Sequence, residues 1–391
     1  MWKRAKTLIL IFSFFLNAGS PQAPSDWVIG VDADLSLGGA SAGQAILLGV
    51  RLAADEINAS GGLLGRKLRI EARDHGGIVL RGIENVKELG ALSNMIGIVG
   101  GIHSNVILSE LEVIHSKKIP YLIPWASADE LVDNGRHPNF VFRLGGRDQY
   151  VGEFLVGEAL KHGKRIGLLL ESTVWGRSNL KALKKTLALR KIQPVAVEWI
   201  DRADSNVNVQ ISALQRKNPD VVIMALNAPE GALAVNTMTE RGTPFRVLSH
   251  WGIAHENFFK LASASLKKMK VEFFQPFSFS TFQNNKKDAL LKKLKEHLPQ
   301  AENGKIDAAS GIAHAYDLTL MLGAATSKSK SAERGKIRDA LESLAEFKGV
   351  ACSQRPPFTP QRHEAVDKGC FFLAQFSDDG KVIPSPLSPV P

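Results

Sequence analysis

Short apolar runs alternate with amphipathic stretches along most of the chain. Runs rich in Val, Ile, Leu and Phe read as strands at 28–35, 68–73, 96–99, 121–123, 165–170, 195–200, 221–226, 246–249 and 271–274. They lack strict polar alternation, as strands do when helices cover both of their faces. The clearest helix spans 43–59, where Ile46, Leu47, Val50, Ala53, Ala54 and Ile57 recur at three- and four-residue spacing opposite Arg51, Asp55 and Glu56. Gly61-Gly62 closes it, because glycine takes the left-handed conformation that ends a helix. Further helices are expected near 79–93, 104–117, 149–162, 178–190, 206–217, 230–241, 286–297, 307–325 and 334–346. Strand–helix alternation of this kind demands parallel sheets with right-handed crossovers, a doubly wound α/β architecture.

The series resets in the middle. The stretch 140–145 leads into the apolar run at 165–170, and a second alternation begins there. A chain of 391 residues exceeds the roughly 250–300 at which one core stops growing, so two similar lobes with a groove between them are expected. The tail reads as a Pro-rich loop at 353–359 followed by edge strands near 370–377 and 382–384. Cys352 and Cys370, the two cysteines, either bridge that loop or stay free thiols. A bridge would add about 3 kcal/mol in the loop-entropy account.

The first residues form a separate unit. Lys3, Arg4 and Lys6 precede the apolar run 8–16, and small residues Ala18, Gly19 and Ser20 follow. This is the pattern of a secretory signal over 1–25 and a periplasmic mature protein; Ala23 and Ser25 suit a cut before Asp26, whereas a cut after Ser20 or Ala23 would leave proline first. An uncleaved anchor is the plainer alternative.

Composition narrows the chemistry. At 44% hydrophobic and 23% charged residues the chain is neither disordered nor fibrous. Its net charge of +10 is carried partly by lysine runs at 267–270, 286–287 and 292–295, without interleaved aromatics. Those runs read as solvated helix faces, and no nucleic-acid partner is expected. There is no CxxC or HExxH, no GxxxxGK[ST], and no GxGxxG after a strand, so neither a metal nor a nucleotide cofactor is expected. Gly39-Ala40-Ser41-Ala42-Gly43 fits the GxSxG of hydrolases. It follows the first strand rather than a central one, so a serine hydrolase is a remote reading.

The stretch 43–67, GQAILLGVRLAADEINASGGLLGRK, resembles the first helix and turn of the type I periplasmic substrate-binding proteins, in their branched-chain amino-acid branch. IGIVGGIHSNV (96–106), IPYLIPWASADEL (119–131), FRLGGRDQYVGEFLV (142–156), WGRSN (175–179), NAPEG (227–231) and AHAYDLTLML (313–322) resemble later blocks of that family, in order. The resemblance implies two doubly wound lobes joined by three hinge crossings. The expected division is 26–145 with 277–350 as one lobe and 146–276 with 351–391 as the other. It further implies a monomer that closes on a small ligand and hands it to the membrane permease subunits of an ABC importer, with no catalytic residue. A soluble sensor module for a signalling partner is the competing reading, since such folds serve both roles.

In open parallel sheets ligands sit beyond the carboxyl ends of the strands. The loops there contain His103 and Ser104, Ala126 and Ser127, Trp175, Asn227, and His250 and Trp251, the candidate ligand contacts. Ser104 either holds a ligand carboxylate or caps its own helix. Trp175 either covers the ligand or is a core tryptophan with its N–H satisfied. In the amino-acid binders a carboxylate near the strand at 246–249 often pairs the ligand ammonium. This chain reads Ser249-His250-Trp251-Gly252-Ile253 there, with Asp34, Asp74, Glu171 or Glu230 as substitutes the sequence does not place. Tyrosines usual in the family are replaced by Ala42 and by Asn227-Ala228. The expected ligand therefore carries a carboxylate and is either an aliphatic amino acid or an aromatic or other organic acid.

Overall fold

The computed structural model describes residues 25–386 apart from 244, 281–284, 352 and 367. The expected signal at 1–25 lies outside the described residues but for Ser25, and Cys352 lies outside them too. Cys370 is disulfide-bonded.

The first half builds β1 (Trp27–Ala33), α1 (Ala40–Ala59), β2 (Leu68–Asp74), α2 (Val79–Ala91), β3 (Met95–Val99), α3 (Ser104–Ser116), β4 (Tyr121–Ile123) and β5 (Val141–Arg143). These strands form one sheet in the order β2-β1-β3-β4-β5, every pairing parallel. The second half builds α4 (Asp148–Ala159), β6 (Ile166–Glu171), α5 (Val174–Leu189), β7 (Ala196–Ile200), α6 (Asn208–Lys217), β8 (Val221–Ala225), α7 (Ala228–Glu240), β9 (Arg246–Ser249), α8 (Glu256–Leu266) and β10 (Val271–Gln275). Its parallel strands run β7-β6-β8-β9-β10. Counted from the first strand of each half, the two orders are the same, which is the structural form of the reset in the sequence.

The chain then returns to the first lobe with α9 (Asn285–His297), α10 (Ala309–Ser329) and α11 (Arg334–Glu342). A short antiparallel pair, β11 (Phe347–Lys348) and β12 (Ser353–Gln354), precedes the hairpin of β13 (Phe372–Phe376) and β14 (Val382–Pro384). That hairpin joins the second sheet antiparallel to β10.

Alternate residues of the first sheet feed cores on its two faces, as the pleat requires. Ile29, Val31, Ile96, Val99 and Leu122 pack with Ile46 and Val50 of α1 and with Leu318 and Leu322 of α10. Val28, Ile98, Tyr121 and Val141 pack on the opposite face with Val86, Leu89 and Ile107. Leu168, Leu170, Val222, Met224 and Phe273 anchor the core of the second lobe. The first helix of each half starts pressed against the end of the preceding strand. A Cβ on Gly43 would lie 1.8 Å from the Asp34 carbonyl oxygen, and one on Gly176 would lie 1.8 Å from that of Glu171.

Most expected elements lie within a few residues of those observed, and Gly62 N–H closes α1 on the Ile57 carbonyl (2.9 Å). Three features differ. Helix α8 is absent from the sequence reading, although Phe258, Ala262 and Ser265 bury one face of ENFFKLASASL at helical spacing. The tail strands are antiparallel to the otherwise parallel sheet. Phe358 and Ala365 belong to the core of the first lobe, and Glu364 forms a buried ion pair with Arg143 (2.5 Å). Residues 358–365 thus sit with the first lobe, not with the second as the division at 350/351 supposed.

One polar cluster is enclosed in the first lobe. Asp32, Glu110 and Tyr121 have no exposed surface, and Asn85 Nδ2 donates to Asp32 Oδ1 (2.7 Å). Burial pushes the Glu110 carboxyl up to about 7, and burial together with Glu110 raises Asp32. A carboxyl raised in the folded state holds its proton after the unfolded chain has released its own. That contribution is full at low pH and is lost as pH rises through 7, at about 1.4 kcal/mol per pH unit and proton. Glu110→Gln is therefore expected to flatten the fall in melting temperature between about pH 5 and pH 7, measured by calorimetry of both proteins.

Candidate functional site

The carboxyl ends of the two sheets face each other across a cleft. Three helix N-termini open onto it: α3 with Ser104 and Asn105, α5 with Trp175, and α7 with Asn227 as its first flanking residue. Exposed N–H groups give such ends a partial positive charge that suits an anion. The inner chamber is lined by Ile102, His103, Ser104, Asn105, Trp125, Ala126, Ser127, Trp175, Arg202, Asn227, Trp251 and Gly252, and no carboxylate is among them. Its cavity is about 10 Å³, room for roughly one water. A larger outer chamber of about 330 Å³ adjoins it, walled by Asp34, Leu37, Gly38, Gly39, Gly76, Gly77, Pro229 and Glu230. His103, Arg202 and Asn227 border both.

Contacts across the cleft include an aromatic stack and a polar ladder. Trp125 follows β4 and Trp251 follows β9, equivalent places in the two halves, and their rings stack at 4.9 Å and 13°. Stacking explains why the inner chamber is nearly filled. Arg202 Nε donates to Glu171 Oε1 (2.6 Å), and Asn227 Nδ2 donates to Glu171 Oε2 (2.5 Å). Arg202 Nη2 lies 3.2 Å from His103 Nδ1, and His103 Nε2 lies 3.2 Å from Asp34 Oδ2. A guanidinium can only donate, so His103 Nδ1 accepts and Nε2 carries the proton toward Asp34. The ladder runs from the buried end of β6 across the cleft to the end of β1.

Of the expected contacts, His103, Ser104, Ala126, Ser127, Trp175, Asn227 and Trp251 all border the inner chamber. His250 does not. It is fully buried behind Trp175 at 5.2 Å between ring centroids, its Nδ1 accepts from Trp251 N–H (2.9 Å), and its Nε2 lies 3.3 Å from Asp148 Oδ1. His250 stands behind the wall of the inner chamber. Ser104 leaves its own helix uncapped, and its hydroxyl accepts from Ala128 N–H (3.3 Å). The Trp175 N–H is engaged inside the protein, donating to Ser127 Oγ (2.9 Å) and Asp148 Oδ1 (3.2 Å).

Sequence reasoning missed Arg202 and Trp125. Arg202 lies in Asp201-Arg202-Ala203-Asp204, which reads as a solvated turn. A usable signal existed: β6 and β7 are neighbours, so a cation just after β7 stands beside the acid ending β6. At the GxSxG stretch, Ser41 is the second residue of α1. The nearby His103–Asp34 pair has Arg202, not a serine, on its other nitrogen. Among the described residues no group of three or more His, Cys, Asp or Glu is placed to hold a metal, and no helix is long and apolar enough to cross a membrane.

The periplasmic binding protein family matches across residues 26–381. Among curated proteins, the chain is similar to the Leu/Ile/Val-binding protein BraC3 of Rhizobium johnstonii, 26% identical over 253 residues, covering 63% of this chain and 67% of that protein. Among solved structures, it is similar to the branched-chain amino acid transporter substrate-binding protein LivJ of Streptococcus pneumoniae, solved with isoleucine (TM-score 0.78, 20% identity, 92% of this chain and 100% of that one). It is also similar to a solute-binding protein of R. palustris solved with 4-hydroxybenzoate (TM-score 0.77, 14% identity, 93% and 96%). This is a family of solute-binding proteins and not of enzymes. With the repeated sheet order and the cleft between the lobes, the match across nearly the whole described chain shows that it belongs to the periplasmic binding protein family.

Proposed function

We propose that this chain is the extracytoplasmic solute-binding component of an ABC importer. It captures a small carboxylate-bearing molecule between its lobes and delivers it, chemically unchanged, to membrane permease subunits. The observation that carries this reading is the meeting of three helix N-termini at an inner chamber without a lining carboxylate. Such a chamber favours an anionic group on the ligand. The ligands of the two solved neighbours, isoleucine and 4-hydroxybenzoate, share a carboxylate and differ in the rest. Trp125, Trp175 and Trp251 nearly fill the inner chamber, so the aliphatic or ring-bearing body of the ligand extends into the outer chamber of about 330 Å³.

Closure follows from the same contacts. The tryptophan stack and the His103–Arg202 bond hold the lobes together, and a ligand touching both lobes adds to the closed form. Only then are permease-facing surfaces on both lobes correctly spaced.

A thermal-shift screen of residues 26–391 against aliphatic amino acids, aromatic acids and their amides tests the ligand class. A carboxylate ligand at about 100 times its dissociation constant adds roughly 2.7 kcal/mol. The amides should give no shift, and equal shifts for acids and amides would remove the anion reading. Asn105→Ala is expected to weaken the best hit about tenfold in calorimetric titration. Arg202→Met removes the charge partner of buried Glu171 while keeping the side-chain stem. The ligand-free protein should lose about 1–3 kcal/mol, and adding Glu171→Gln should restore most of it. An unchanged melt for Arg202→Met would show that Glu171 does not depend on that pair.

A further inference from the structure

A further cavity of about 370 Å³ lies where the chain crosses from β10 back to the first lobe. It shares no lining residue with either chamber of the cleft. The crossing contributes Gln275 and Phe277, the first lobe Leu291 and Lys295 of α9 with Ile306, and the second lobe Val382 of β14.

Most of the lining is apolar, and much of it is incompletely covered by the protein itself. Phe279, Leu291, Ile306, Val382 and Ile383 are each only half-buried, and they converge on this one void from four separate segments. An apolar body entering it removes that surface from water and gains the corresponding free energy. An apolar cavity of about 150 Å³ already takes benzene. The space here is roughly twice as large.

The polar groups in the lining are mostly donors. Gln275 is 4% exposed; its Oε1 accepts from the Ser310 hydroxyl (2.8 Å), and its Nε2 donates to none of the described residues. Lys295 and Lys381 line the cavity from opposite lobes, and Glu302 is the single carboxylate among the lining residues. Lys295 pairs with Glu302 (3.1 Å) and Lys381 with Asp379 (2.8 Å), both acids being well exposed. Exposed pairs of this kind contribute little, so either lysine can turn to a ligand at small cost. Helix α9 adds to the same field, with five lysines against two acids over Asn285–His297. The lysine runs that read as plain solvated faces in the sequence therefore surround an apolar hole with positive charge.

We propose that this cavity is a second ligand site, separate from the cleft, for an amphiphile with an apolar body and one anionic group. The body covers the half-buried apolar side chains, and Lys295 and Lys381 meet the anion. The site stands independently of which solute occupies the cleft.

Octanoate, octan-1-ol and octylammonium share an apolar body and differ in the head group. Each is titrated by calorimetry into residues 26–391 and into three variants. Ile306→Trp and Val382→Trp fill the cavity from its two lobes, and Lys381→Glu reverses one lining charge. In the wild type octanoate should bind about threefold or more tighter than octan-1-ol, with octylammonium weakest. Each tryptophan variant that melts as the wild type does should lose octanoate binding. Lys381→Glu should bring octanoate to the affinity of octan-1-ol or below it. Octanoate binding retained by a folded tryptophan variant places the amphiphile elsewhere and overturns the proposal. A wild type that binds no octanoate, or that prefers octylammonium, overturns it as well. If neither tryptophan variant folds, Lys381→Glu decides, and an unchanged preference for octanoate overturns the site.

Discussion

Glu171 ends a central strand with no exposed surface, so its charge has to be met inside the protein. Arg202 at the end of the neighbouring strand and Asn227 at the start of α7 meet it. The remaining donors of Arg202 are then free to reach His103 in the other lobe, and His103 in turn leans on Asp34. Much of the polar character of the cleft follows from this one compensated charge. It orients His103 through Arg202 and holds the Asn227 side chain in place.

The geometry that makes this possible is a duplicated sheet order. Two sheets wound alike point the same ends, and therefore the same kinds of loops, at a shared groove. The pairing of Trp125 with Trp251 and of Gly43 with Gly176 shows how closely the halves correspond at equivalent points. Where the halves differ, chemistry enters. The loop after β4 offers Ala126 and Ser127, whereas the loop after β9 offers buried His250, which serves the wall.

Much of the architecture was legible because buried parallel strands are dense in Val, Ile and Leu, and the runs at 121–123 and 246–249 match β4 and β9 residue for residue. Helix α8 is short, 11 residues, and its buried face is carried by Phe258, Ala262 and the polar Ser265, so its apolar stripe is brief. Topology alone demands a crossover there, since β9 and β10 are parallel neighbours. The cleft loops were found because strand ends could be located. Which of their side chains face the cleft was not readable: Ser104 and Trp175 acquire internal partners, and His250 comes to lie beside Asp148, only when segments distant in sequence meet. Arg202 was hidden for the same reason, since a lone cation in a turn has no visible purpose until its neighbouring strand is known.

The last part of the chain contributes to both bodies. Phe358 and Ala365 complete the core of the first, and β13 extends the sheet of the second. The first body therefore cannot complete its core before residues 358–365 are made, nor the second its sheet before residues 372–376, although β1 to β5 of the first are made long before.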